Sequence, residues 1–327
     1  MAIAVIKAGM YDTFQDQGRY GYAHWGINPT GVMDSFASRV ANLLVGNEAT
    51  ATLLEMTFPA AQLEFTKDSL ICICGADFTP QINTTILPCW QPIWVPQGSI
   101  LRFTGKKWGA WTYMAIQGGF QSDHWLQSGS THVKIQMGGY KGRRLQQGDH
   151  LIEAGPKKYI PPPSAQLKIL PFGFGGIIDV YQNNISFLPG TAWDLLTPIQ
   201  KNQFEKNECS IDVKSDRMGY YLTEFKFEQT LKNELISKGV NQGAIQLLPS
   251  GQPIVLMADH QTTGGYPIVG NVIHSSLPSL SQISPGKLFH FTKIDQQFAE
   301  SIYISREERL IRFKNMVHFK LLELCAR

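Results

Sequence analysis

The sequence is short of charge, of cysteine and of long apolar runs, and each shortage excludes something. Charged residues make up 17% of the 327 positions, against about 25% in an average soluble domain. Hydrophobic residues make up 43%, which supplies a core and argues against disorder over most of the length. Net charge is +3, so the concentrated basic face that nucleic-acid binding requires is not evident. No segment reaches the roughly 20 apolar residues of a membrane helix. The longest aliphatic runs, such as Ile254–Ala258, have strand length. Ala2–Ile6 before Lys7 is short for a signal-peptide core and has no basic leader, so the expected location is cytoplasmic. The five cysteines (72, 74, 89, 209 and 325) include no Cys-x-x-Cys and are an odd number. They read as free thiols in a reducing compartment. Cys72 and Cys74 lie two apart in an apolar run, facing one side of a strand. Buried thiols are the plainer reading there, a metal or redox role the alternative.

Several chemistries lack their motifs. There is no Gly-x-x-x-x-Gly-Lys-[Ser/Thr] phosphate loop, no Gly-x-Ser-x-Gly elbow, no His-Glu-x-x-His and no paired-cysteine zinc spacing. The eight histidines are scattered, so no metal site is predicted. Gly173-Phe174-Gly175-Gly176 lacks the third glycine of a dinucleotide fingerprint.

What is abundant is turn chemistry, with 30 glycines and 18 prolines. Between them lie short apolar runs that read as strands: Gln62–Phe65, Leu70–Cys74, Ile93–Val95, Ile100–Phe103 and Trp111–Ile116, then 167–170, 185–188, 209–214, 243–248, 253–258 and 287–292. This spacing suits a barrel or a sandwich. A helix is predicted over 34–45, with Asp34 as N-cap, an apolar stripe of Phe36, Val40, Leu43 and Leu44, and a stop at Gly46-Asn47. Thr197–Phe204 reads as a short helix. Leu310, Phe313, Val317, Leu321 and Leu324 mark one face of a terminal helix over 305–325. Residues 155–165 carry three consecutive prolines and read as a stiff linker. The predicted domains are therefore 1–160 and 161–327. Faint echoes, such as Arg19-Tyr20-Gly21-Tyr22 with Arg217-Met218-Gly219-Tyr220, permit related halves without establishing them.

Four polar stretches are candidate sites. Asp259-His260-Gln261-Thr262-Thr263-Gly264-Gly265-Tyr266-Pro267 follows an apolar strand and concentrates donors and acceptors before two glycines, where backbone can approach a ligand. Asp259 suits a general base and His260 a proton carrier, or both brace the loop. In Ser215-Asp216-Arg217-Met218-Gly219, Arg217 offers a fork for a carboxylate or phosphate, or pairs with Asp216. In Asp16-Gln17-Gly18-Arg19, a second arginine sits near the helix start at Asp34, or Asp16 and Arg19 pair to hold the turn. Ser128-Gly129-Ser130-Thr131 adds hydroxyls and backbone donors.

Taken in order, these motifs resemble the allophanate hydrolase subunit 2 family, also called biotin-dependent carboxyltransferase-like. The order runs from Asp-x-Gly-Arg-x-Gly at Asp16, through Gly26 to Met33-Asp34, Leu54-Glu55, Gly138-Gly139 and Ser215–Gly219, to Gly243–Gln246 and the Gln261–Pro267 block. The family includes the Kip-type antagonist of a kinase inhibitor and the 5-oxoprolinase C subunit. The resemblance implies a mainly β fold of two cyclophilin-like β-barrel domains with a few helices. It implies ATP-dependent opening of 5-oxoproline to glutamate, with ATP and magnesium used in a complex that also holds an A subunit, plus a Kip-inhibitor-type B subunit. Residue chemistry, read beside the resemblance, puts expected substrate contacts at Asp16, Arg19, Ser130, Thr131, Ser215, Gln246 and Gln261–Tyr266, and the expected chemistry at Arg217, Asp259 and His260. Two further readings follow from the resemblance: a carboxyltransferase component of a urea carboxylase, or a non-catalytic regulator of a Kip-type inhibitor. Biotin is not expected on this chain, which has no Met-Lys-Met. Three positions depart from the family pattern: Gly129 and Ser276, where arginine and aspartate are frequent, and Tyr221, where arginine is common.

Overall fold

The computed structural model describes residues 2–155, 166–175, 180–227 and 236–325. Apart from Gly155, the predicted linker lies outside the described residues. Two compact units emerge, and they are not consecutive halves of the sequence. The first holds the described residues of Met1–Gly18, Asp34–Ile177 and Glu308–Arg327; the second holds those of Arg19–Met33 and Ile178–Glu307.

The first unit has two six-stranded antiparallel sheets. One runs in the order His150–Leu151, Ile3–Lys7, Gln62–Phe65, Ile100–Phe103, Pro80–Ile82, Thr85–Ile86. The other runs Lys168–Ile169, Pro92–Val95, Ser69–Asp77, Trp108–Ile116, Leu53–Met56, Thr13–Gln15. Alternation sends one side chain in two inward. Ile3, Val5, Leu63 and Phe65 from one sheet and Leu54, Ile71, Ile73 and Met114 from the other share a single buried cluster. The opposite face of Ser69–Asp77 is also buried, because helix α1 (Ser35–Leu44) packs on it and on Trp108–Ile116. Asp34 starts that helix as predicted, its Oδ1 accepting from Ala37 N at 2.9 Å. The Tyr113 hydroxyl accepts from Asp34 N at 2.8 Å. Cys72 and Cys74 are free and fully buried, their sulfurs 3.6 Å apart. Burial pushes the Cys74 thiol up, disfavouring the reactive thiolate.

The second unit has one six-stranded sheet, in the order Gly219–Tyr221, Pro253–Leu256, Ala244–Leu247, Ile268–Val272, Asn184–Pro189, His290–Lys293. Its last pair is parallel. A two-strand ribbon pairs Lys238–Gly239 with Thr263–Gly264. Helix α2 (Pro198–Lys206) begins with a capping box between Thr197 and Gln200. It inserts Phe204, which stacks on Phe291 at 4.8 Å and Phe225 at 5.2 Å. Burying each such ring contributes roughly 1.5–3 kcal/mol. A short helix α3 (Leu277–Gln282) follows the sheet's fourth strand in space order.

The mainly β expectation holds, but among the described residues the sheets do not close into barrels. Each large sheet keeps two edges. In the first unit three of those edges, His150–Leu151, Thr85–Ile86 and Lys168–Ile169, are two-residue strands, too short to carry a ladder across to the facing sheet. The strand expected over 209–214 is also absent. Cys209 and Ile211 make isolated bridges to Phe289 and Leu222, and the chain then turns where Asp212 Oδ1 accepts from Lys214 N at 3.0 Å. The terminal helix α4 (Gln296–Cys325) starts earlier than expected, capped by Asp295, whose Oδ1 accepts from Phe298 N at 2.8 Å. Its Leu310, Phe313, Val317 and Leu321 are buried as predicted. No helix among the described residues is long and apolar enough to cross a membrane.

Candidate functional site

In the first unit, the strand Thr13–Gln15 delivers Asp16 to the loop Ser128–Thr131. The Asp16 carboxylate accepts from Ser128 Oγ at 2.7 Å, Ser130 Oγ at 2.6 Å, Gly129 N at 2.6 Å and Gly18 N at 2.8 Å. Its own N–H donates to Ser130 Oγ at 2.9 Å. Thr131 N and Oγ1 both donate to the Phe14 carbonyl. The fold thus brings Asp16, Ser130 and Thr131 together, with their polar atoms engaged within the loop and the strand. The cluster ties a loop to a strand. Gly129 belongs to the same knot: a Cβ there would run into Ser122 Oγ and Thr52 Oγ1, whose hydroxyls lie 3.1 Å apart. The room for a larger residue at this position is filled by that pair.

In the second unit, the strands Gly219–Tyr221 and Pro253–Leu256 pair in register, bringing the residues before one beside those after the other. Asp259 N donates to the Arg217 carbonyl at 2.8 Å. The side chains then meet as a fork. Arg217 Nε donates to Asp259 Oδ2 at 2.9 Å and Nη2 to Oδ1 at 3.0 Å. The pair is desolvated, with the arginine side chain 5% exposed and the aspartate 12%. Arg217 Nη2 also donates to the Gly31 carbonyl at 2.5 Å, and Asn28 Nδ2 donates to the Asp259 carbonyl at 3.0 Å. A planar guanidinium matched to a carboxylate through two bonds is the strong form of an ion pair.

The next residue, His260, is buried, and burial lowers its pKa. Its Nδ1 lies 2.5 Å from the Gln261 carbonyl, which only accepts, so Nδ1 carries the hydrogen and Nε2 is the acceptor of the neutral ring. Gln261 Nε2 approaches Gln246 Oε1 at 3.4 Å, a long contact. The Gln246 side chain is buried, its Nε2 lies where a side chain on Gly264 would begin, and it finds no acceptor among the described residues. The Thr262 carbonyl accepts from Val240 N at 3.0 Å, which joins the loop to the ribbon. Gln261, Thr263 and Tyr266 are exposed, and Gly265 is half-buried.

Arg19 is 2% exposed, buried rather than offered to solvent. Ser215 Oγ accepts from Tyr221 N at 3.0 Å and Asp216 Oδ1 from Met218 N at 2.8 Å, so both shape a turn. Arg217 therefore pairs with Asp259, forty-two residues on, and not with adjacent Asp216. The sequence reading missed Asn28 and Thr30. The signal available was the Gly26–Gly31 frame; the carbonyl contacts themselves leave no trace in composition. Among the described residues, no group of three or more His, Cys, Asp or Glu is arranged to hold a metal.

Residues 25–293 match the model described as carboxyltransferase domain, subdomain A and B. The chain belongs to that family. It is 32% identical over 319 residues to the 5-oxoprolinase C subunit of Haemophilus influenzae, covering 96% of this chain and 100% of that one. It is 35% identical over 293 residues to the 5-oxoprolinase C subunit of Escherichia coli, covering 89% and 91%. The crystal structure of Kluyveromyces lactis urea carboxylase superposes with a TM-score of 0.84 at 25% identity, over 95% of this chain and 29% of that one. In this carboxyltransferase-family chain, both buried polar knots lie in segments that the sequence motifs single out.

Proposed function

We propose that this chain is the C subunit of a bacterial, cytoplasmic, ATP-dependent 5-oxoprolinase, opening 5-oxoproline to glutamate together with an A subunit, plus a Kip-inhibitor-type B subunit. The observation that carries the reading is similarity to named C subunits, over all of one and 91% of the other. The chemistry is consistent with the second unit. A lactam is a resonance-stabilised amide, so water attacks it slowly. Phosphoryl transfer from ATP to the lactam oxygen makes the ring carbon electrophilic. Water adds there, the C–N bond breaks to free the amine, and a second water hydrolyses the resulting acyl phosphate. Groups that hold the substrate carboxylate and stabilise developing charge lower these barriers.

In this proposal, Arg217 supplies positive charge near the substrate anion, and Asp259 orients the guanidinium. Asp259 is also the candidate base, although both its oxygens already accept from Arg217. His260 relays a proton through Nε2. Gln246, Gln261, Thr262 and Thr263 orient the ligand. ATP, with magnesium, belongs to the assembled complex; this chain has no phosphate-loop motif that would assign the nucleotide to it.

A second reading, a carboxyltransferase component, is favoured by the urea carboxylase superposition. The test is glutamate release from 5-oxoproline and ATP, by the chain alone and then with its A and B subunits. Turnover only in the full mixture supports the proposal. A stable complex without turnover rejects it, in favour of carboxyl transfer or of a non-catalytic partner for a Kip-type inhibitor.

A further inference from the structure

Segment Arg19–Met33 belongs to the second unit although its sequence neighbours belong to the first. Its part in the second unit centres on a turn at Asn28–Gly31. Thr30 is buried and holds φ at +55°. A β-branched residue seldom adopts that left-handed backbone, because Cβ crowds the carbonyl oxygen. Gly31 follows at φ +96°, so two successive residues turn the same way. The conformation aims two groups at one target. The Gly31 carbonyl accepts from Arg217 Nη2, and Asn28 Nδ2 donates to the Asp259 carbonyl. Thr30 Oγ1 donates to Asn28 Oδ1 at 3.2 Å, which fixes which end of the Asn28 amide faces Asp259. Strained backbone of this kind persists where surrounding structure over-determines it, and clusters at functional sites.

We propose that the Asn28–Gly31 turn is a positioning element for the Arg217–Asp259 fork, and that Thr30 and Asn28 are positioning residues for the reaction. The inference rests on the reading of that fork as part of the 5-oxoprolinase site. The Thr30 hydroxyl fixes the Asn28 amide, Asn28 holds the Asp259 backbone, and Gly31 holds the third contact of the guanidinium. The fork then keeps one orientation before any ligand arrives.

The test uses Thr30→Gly, Thr30→Asn and Asn28→Ala in the full chain, alone and assembled with the A and B subunits. Glycine accepts the left-handed backbone without strain but removes the hydroxyl that donates to Asn28 Oδ1; asparagine tolerates the backbone and keeps a polar side chain. Thr30→Gly is expected to melt within about 2 °C of the wild type, since relieved strain offsets lost packing. Its turnover is expected to fall at least tenfold, mainly in kcat, with Thr30→Asn recovering most of the loss. Asn28→Ala is expected to lose activity similarly. The second readout needs no turnover: the Arg217 Nε–Hε resonance of labelled chain, assigned with Arg217→Lys, is sharp and slow to exchange in the wild type and broadened in Thr30→Gly. A Thr30→Gly chain that keeps both its resonance and its activity, whatever its melting temperature, overturns the proposal. If the wild-type complex itself releases no glutamate, the functional reading fails while the resonance still decides whether the turn positions the fork.

Discussion

Asp16 offers the sharpest separation between a ligand contact and a brace. Its carboxylate accepts four hydrogen bonds, three at Oδ1 and one, from Gly129 N, at Oδ2. Asp16→Asn keeps the shape and must place an NH2 group on one side. The less costly choice keeps oxygen at Oδ1 and points the new donor at the Gly129 N–H. One charge-assisted bond, worth about 1.5–3 kcal/mol, is lost, and a buried N–H is left unpaired at about 1–3 kcal/mol. The other three bonds weaken as the acceptor loses its charge. The sum is roughly 3–5 kcal/mol. For a unit of 150–250 residues, each kcal/mol moves the midpoint by about 2–4 °C. The variant should therefore lower the first unit's transition by about 10 °C in scanning calorimetry. In the assembled complex, assayed well below that midpoint, KM for substrate should stay within about twofold. A loss of less than about 2 °C together with a large rise in KM would refute the reasoning and return Asp16 to ligand binding.

Other predictions follow from the same geometry. Burial pushes the Asp12 carboxyl up to about 7. A carboxyl that is harder to ionise when folded stabilises most below its unfolded pKa, and that stability drains away as pH rises from about 4 to about 7. Asp12→Asn, which still accepts from Gly9 N, should gain up to roughly 4 kcal/mol at pH 8 and nothing at pH 4, measured by urea unfolding at both; a pH-independent difference contradicts the assignment. Gly129→Arg should cost about 1–3 kcal/mol by overpacking against Ser122 and Thr52, and Ser122→Gly in the same chain should recover part of it; an additive double variant argues against the clash. Arg217→Lys loses the two-bond fork to Asp259 and should cost about 2–4 kcal/mol in denaturant unfolding of the chain alone; a loss under about 0.5 kcal/mol means the pair contributes little.

Much of the local structure was legible because local causes set it. Asp34 reads as a cap and is one, since a short carboxylate beside three free N–H groups needs nothing distant. Thr197 and Gln200 close a capping box for the same reason. Gln62–Phe65 and Ile100–Phe103 form strands within their predicted bounds because alternation and flanking turns define them. The extension of α4 back to Gln296 was illegible, because Phe298, Tyr303 and Ile304 are exposed and leave no buried stripe over that stretch. The sequence over 209–214 has strand composition, yet Asp212 turns the chain before a ladder forms.

Composition and motif order are enough to show a mainly β chain, its family's motifs and the segments that hold the polar clusters. What those clusters are depends on how the strands pair and pack. Arg217 has an acid next to it in sequence and pairs with one far away, because register between two strands sets the partner and the adjacent Asp216 is drawn into its own turn. Asp16 and Ser130 have the composition of a binding loop and the geometry of a knot. Thr30 looks ordinary until its φ is known. Side-chain types are written in the sequence, but a hydrogen bond depends on distance and direction, and across a hundred residues those are set by how sheets pair and pack.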